Sequence, residues 1–218
     1  TFFVFLVPLI ATNILQNLAG RSNTIGVGQM MGVDAIAAGS VFFPILFFLL
    51  AFVIGISAGT TVLVGQAWGA QNLEKVRCVI GSTLFMTLIG GSVIAVLGVM
   101  MAEPMLKLLG TDAKVMHLSL PYVQWMLAGS PLLFFYIIYT SILRGVGDSV
   151  TPLIALSLTS LIGLAVTPVL LKGYFGFPAL GIVAPAIATI LGYAAVLIFL
   201  GFYLNYTNHP LKKDTRLL

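Results

Sequence analysis

Phe42-Phe43-Pro44-Ile45-Leu46-Phe47-Phe48-Leu49-Leu50 is the stretch on which the fold turns. It carries no charge and does not alternate between apolar and polar side chains. A strand of a membrane barrel alternates, because one face meets lipid and the other the lumen. This stretch has no polar face, so it reads as helix in a hydrocarbon layer. It lies within a charge-free run, 35–73, and five more runs follow the same rule: 1–20, 78–102, 115–143, 149–171 and 173–211. Each is long enough to cross ~30 Å of hydrocarbon at about 1.5 Å per residue. The runs predict six helices, at about 3–28, 38–66, 78–101, 116–142, 151–171 and 179–204. The expected fold is all-α and polytopic, with residues 1–205 as one transmembrane lobe and 206–218 as a cytoplasmic tail or linker.

Composition agrees. Of 218 residues, 60% are apolar and 7% charged, with mean hydropathy +1.13. A soluble domain has about 25% charged residues to wet its surface. A disordered chain needs low hydrophobicity and high charge. Both classes are excluded. The single cysteine, Cys78, excludes an internal disulfide and a thiolate-rich zinc site. The net charge of +4 is spread along the chain without an aromatic–basic stripe, so no nucleic-acid partner is expected. In a membrane protein such an excess reports topology. Lys75, Arg77, Arg144, Lys212, Lys213 and Arg216 fall on one side; Lys107, Lys114 and Lys172 fall on the other. The imbalance predicts a multi-pass plasma (bacterial inner) membrane protein with both termini cytoplasmic. The first run lacks a basic leader and is not read as a signal peptide. Beginning at Thr1 rather than Met, the chain reads as a fragment or a processed product.

The polar residues inside the spans are few. Every carboxylate falls in a predicted loop or near a span end, whereas Arg21 lies in the first predicted helix. A charge at membrane depth costs about 2.5–3.5 kcal/mol on insertion scales unless it faces water or a partner. Asn13, Asn17 and Arg21 recur at helical spacing, with Gln16, Asn23 and Thr24 beside them. They form one broad polar face that lines a cavity or meets another helix. The plainer alternative is an Arg21 that snorkels to the surface, with the amides joining helices. The density of polar side chains on this one helix favours the cavity. Tyr136, Tyr139 and Thr140 share a face of the fourth helix; Ser160, Gly163 and Thr167 share one on the fifth. Either set suits cavity lining or packing. Gly28/Gly32, Gly55/Gly59 and Gly65/Gly69 have the GxxxG spacing of close helix approach.

Between spans four and five, Arg144 suits a helix end by its charge and the glycines permit a left-handed stop. Thr151 is the expected cap of the next helix, with Pro152 at its first position. There is no GxxxxGK[ST] loop, no HExxH, no GxSxG and no Asp/His pair within a span. No enzyme, metal site or cofactor is therefore expected.

Leu143-Arg144-Gly145-Val146-Gly147-Asp148-Ser149-Val150-Thr151-Pro152 resembles the RGxGDTxTP loop of the multidrug and toxic compound extrusion (MATE) transporters. Gly65-Gln66-Ala67-Trp68-Gly69-Ala70 resembles their GQxxGA segment. Pro8 with the Asn/Gln-rich first helix, then Gly28 and Asp34-Ala35-Ile36-Ala37-Ala38, resembles their first helix and following loop; Gly181-Ile182-Val183-Ala184-Pro185-Ala186 is similar to the opening of their sixth. The resemblance implies one six-helix, N-terminal lobe of a twelve-helix antiporter. Its partner would be a second lobe, from the same gene or a second copy. It also implies export of small organic, cationic or amphipathic compounds, driven by H⁺ or Na⁺, with a bend at Pro8 acting as a hinge. Many family members carry acidic residues where this chain has Asn23 and Thr167, so coupling is expected elsewhere, or Arg21 favours an anionic or zwitterionic substrate. The competing expectations are a flippase for lipid-linked oligosaccharides and a non-transporting membrane scaffold.

Overall fold

The computed structural model describes Ile10, Ile14, residues 40–172 and residues 181–206. Almost all of the first predicted helix lies outside the described residues, and so do Pro8, Asn13, Gln16, Asn17, Arg21, Asn23 and Thr24. The described chain is helical: α1 Phe43–Gly69, α2 Leu73–Leu108, α3 Ala113–Ala128, α4 Ser130–Gly145, α5 Val150–Lys172 and α6 Ala184–Tyr206. A short 3-10 turn, Gly181–Val183, leads into α6. Four of the described helices are long and apolar enough to cross a membrane, and α3 with α4 passes the same test as a pair, a broken span or a re-entrant loop.

α4 is the hub. It packs against α1, α2 and α6, while α5 and α6 form the closest pair. The main core joins four helices: Ile45, Leu49 and Val53 from α1, Ala102 and Leu106 from α2, Val123 and Leu127 from α3, and Phe134, Ile138 and Ile142 from α4. Phe42, buried just before α1, meets Tyr122 edge-on at 5.9 Å and ties the start of α1 to α3. The outward faces of α1 and α2 remain apolar, with Phe47, Phe48, Phe85, Met86 and Met100 exposed. Apolar side chains on the outside are stable when the surroundings are acyl chains.

Three local expectations change. First, the predicted helix at 116–142 is two helices meeting at a 45° bend. Gly129, Ser130 and Pro131 stand at the break. Proline lacks the N–H that would bond the carbonyl four residues back. Second, α2 runs 36 residues, well past the predicted 78–101. Its charged ends, Glu74, Lys75 and Arg77 at one and Glu103 and Lys107 at the other, are helical too. Charges bound the part of a helix that can sit in hydrocarbon, not the helix itself. Asn72 caps the start by accepting from the Lys75 N–H at 2.9 Å, and Glu103 and Lys107 pair at 2.6 Å near the end.

Third, the cap of α5 is Asp148, not Thr151. The Asp148 Oδ1 accepts from the N–H groups of Val150 and Thr151, both at 3.0 Å, and Thr151 Oγ1 donates to Oδ2. Pro152 falls third in α5 rather than first, still within the turn whose N–H groups have no partner inside the helix. α4 stops as expected through a left-handed glycine: Gly147 has φ +89°, its N–H bonds Arg144 O at 3.0 Å, and the Asp148 N–H bonds Leu143 O at 2.9 Å.

Candidate functional site

A cleft of about 340 Å³ opens among α1, α3, α4, α5 and α6. Leu46 and Leu50 of α1, Met126 of α3, and Leu133, Tyr136 and Ile137 of α4 form one wall. Leu156, Thr159, Ser160, Gly163 and Leu164 of α5, with Thr189 and Tyr193 of α6, form the other. The Tyr136 and Tyr193 rings lie 5.2 Å apart and bridge α4 to α6. No charged side chain is among the described residues of the wall.

Two of the hydroxyls here have a defined polarity. Thr159 Oγ1 donates to Ala155 O at 2.9 Å, and Thr189 Oγ1 donates to Pro185 O at 2.7 Å. With their protons committed to helix carbonyls, both oxygens have only lone pairs left to offer. The cleft therefore presents aromatic faces, apolar bulk, two acceptor-only threonine oxygens and the hydroxyls of Tyr136, Ser160 and Tyr193. Among the described residues, no group of His, Cys, Asp or Glu could hold a metal ion.

Of the residues singled out from the sequence, Tyr136, Ser160 and Gly163 come together in this cleft. Tyr139 packs instead with Leu143, Ala155, Val196 and Leu200. Thr140 is buried and donates to Ile137 O at 2.9 Å; Thr167 is buried in α5, before Pro168. Neither lines the cleft. Thr159, Thr189 and Tyr193 were not singled out. Helical spacing carries no record of which faces of α5 and α6 meet. Trp125 of α3 is half exposed.

A polar seam joins α1 to α4 at the end bearing the Arg144 loop. The Ser57 and Ser141 hydroxyls bond each other, and Thr61 Oγ1 donates to Ser141 O at 3.2 Å. One turn further, the two glycines meet. A Cβ on Gly65 would stand 3.3 Å from Gly145 O; one on Gly145 would stand 3.0 Å from Val64 Cβ and 3.1 Å from Thr61 O. Among the described residues, Gly55, Gly59 and Gly69 face open space, so only Gly65 of the GxxxG glycines in α1 serves a close crossing. The seam thus joins the GQxxGA segment to the RGxGDTxTP-like loop. Arg144 in that loop ends α4, at the end of the bundle where α1 passes through Gln71, with φ +55°, into α2.

The MatE family model matches residues 8–169, spanning the seam, the bend and most of the cleft. The chain belongs to the MatE family. Among its curated relatives, the probable multidrug resistance protein YoeA of Bacillus subtilis is 43% identical over 97% of this chain and 46% of its own length. The FAD transporter of Shewanella oneidensis is 28% identical over 91% of this chain and 46% of its own. The chain therefore spans about half the length of the curated relatives it matches. Among solved structures, an outward-facing multidrug resistance MATE transporter is similar with a TM-score of 0.85, at 25% identity, over 97% of this chain and 45% of that one. An inward-facing MATE transporter gives 0.77 at 26% identity, over 87% and 41%. The described fold is a half-length lobe of MatE architecture.

Proposed function

We propose that this chain is one six-helix lobe of a secondary transporter that exports organic solutes by alternating access, driven by an H⁺ or Na⁺ gradient. The observation that carries the reading is the aromatic-walled cleft, uncharged among its described residues, with the Thr159 and Thr189 oxygens as acceptors. Such a surface suits an amphipathic organic cation: aromatic faces attract positive charge, and lone pairs accept N–H groups. Relatives named for multidrug resistance support the same substrate class. The second lobe closes the pathway from the opposite side. The protein sits in the bacterial inner membrane with both termini cytoplasmic.

Coupling is carried outside the described spans. Glu74, Glu103, Asp112 and Asp148 lie at or near helix ends, and none lines the cleft. Ethidium efflux from proteoliposomes, under an imposed pH or Na⁺ gradient, tests the reading. Tyr193→Ala is expected to slow it about fivefold, the equivalent of about 1 kcal/mol of aromatic attraction, and Tyr193→Phe to preserve it. Equal rates for the two variants would remove the aromatic wall from substrate handling.

A second reading has its own support. Arg21 is a cation in the first predicted helix, and one relative is named an FAD transporter. A guanidinium binds pyrophosphate in bidentate fashion. Arg21→Ala is expected to change substrate handling without loss of expression: at least tenfold slower movement of an anionic flavin nucleotide if that reading holds, and faster ethidium efflux if the cationic reading holds. Unchanged transport of both with intact expression would place Arg21 outside the pathway. Scrambling of a lipid pyrophosphate without ethidium efflux would favour the flippase.

A further inference from the structure

The α3–α4 break has three features that belong together. Gly129 faces α6, where any Cβ would overlap Ile190 Cγ1 and Cδ1, so Ile190 fills a notch only glycine leaves. Pro131 has no N–H, so the carbonyl of Leu127, four residues earlier, accepts from a cap N–H instead of its usual helical donor. Between them, Ser130 is 1% exposed, and its hydroxyl has no partner among the described residues. Among the described residues it shares this state with Thr111 and Ser119, but most buried hydroxyls of the bundle are bonded. Thr60, Thr83, Ser141, Ser157, Thr159 and Thr189 each donate to the carbonyl four residues back. For Ser130 that carbonyl belongs to Met126, across the bend.

A buried hydroxyl without a partner is costly, and regaining one hydrogen bond is favourable. The bent form therefore leaves unmade a bond that a straighter span would make. We propose that Gly129–Pro131 is a two-state hinge in the wall of the cleft. In the straight state Ser130 donates to the Met126 carbonyl; in the bent state described here Ile190 seats against Gly129. The cleft changes shape with the hinge, because Met126 lies on one side of the break and Leu133, Tyr136 and Ile137 on the other. The motion reaches α6 as well, since Ile190 sits between the cleft residues Thr189 and Tyr193. Proline and glycine are the usual causes of such kinks, and non-helical backbone at membrane depth is tolerated where it borders a cavity.

The cleft's role as a substrate path rests on the function proposed above, but the hinge is read by distance alone, so a rigid span and a wrong substrate are told apart. Spin labels at His117→Cys and Val150→Cys, in a Cys78→Ser background, bracket the break in the gene product held in nanodiscs. Of the path between the labels, the helical part 117–145 spans about 42 Å when straight, and the 45° bend shortens that part by about 3 Å. Pulsed electron paramagnetic resonance is expected to resolve a shorter and a longer component. Pro131→Ala, which supplies the N–H that Leu127 O would accept in a straight helix, is expected to raise the longer-to-shorter ratio at least threefold, and Ser130→Ala to abolish the longer component. A Pro131→Ala distribution that superimposes on the wild type overturns the hinge. Should that variant fail to accumulate, Ser130→Ala decides: loss of the longer component supports the hinge, and a wild-type distribution overturns it.

Discussion

Gly145→Val should destabilise the lobe by about 3 kcal/mol, the upper end of what overpacking costs. The first added carbon already stands 3.0 Å from Val64 Cβ and Cγ1 and 3.1 Å from Thr61 O. Thr61 O is a backbone carbonyl inside α1, so it cannot yield without moving the helix. Two further methyls would pry α1 from α4 and strain the Ser57–Ser141 and Thr61–Ser141 bonds one turn away. In lipid, helices associate through close packing and interhelical hydrogen bonds rather than through expulsion of water. Loss of both at one crossing therefore falls on the main source of cohesion between α1 and α4. Thermal unfolding in detergent checks the value, with Gly59→Val as the control, because Gly59 faces open space among the described residues. Equal midpoints for the two variants would refute the argument.

Asp148→Ala is the second large effect, at about 2 kcal/mol. One carboxylate accepts from the Val150 N–H, the Thr151 N–H and the Thr151 hydroxyl. An N-terminal cap contributes about 1 kcal/mol, and a charged acceptor adds to it. Asp148→Asn keeps an acceptor oxygen without the charge and is expected to cost about half as much. Hydrogen exchange reads this locally: the Val150 and Thr151 amides should exchange at least tenfold faster in the alanine variant. Wild-type exchange there, with Thr151→Ala deprotecting both amides instead, would return the capping role to Thr151.

How far the sequence alone reaches is visible in these two sites. The charge-free runs locate the described spans, because an unpaired charge is excluded from hydrocarbon whatever the helix does. The glycine stop at Gly147 is legible for a similar reason, since a left-handed residue at a helix end favours glycine. The choice between Thr151 and Asp148 is not legible. Both side chains suit a cap, and only the path of the loop decides which oxygen reaches the free N–H groups. The break at Gly129 is partly legible: Pro131 lies inside the run 115–143, and a proline within a span kinks it, but hydropathy stays apolar through the break and does not show that the helix stops there. The cleft was half visible. Tyr136, Ser160 and Gly163 follow from helical spacing, whereas Tyr193 enters only once α6 is known to lean on α4.

The length of α2 has a consequence for where this protein can work. Its charge-free middle, 78–102, covers about 37 Å, against a hydrocarbon core of about 30 Å. Thin and thick bilayers alike can therefore enclose it without drawing Arg77 or Glu103 out of water. When the host cell shortens its acyl chains as its growth temperature changes, this helix takes up the excess length by leaning further from the bilayer normal.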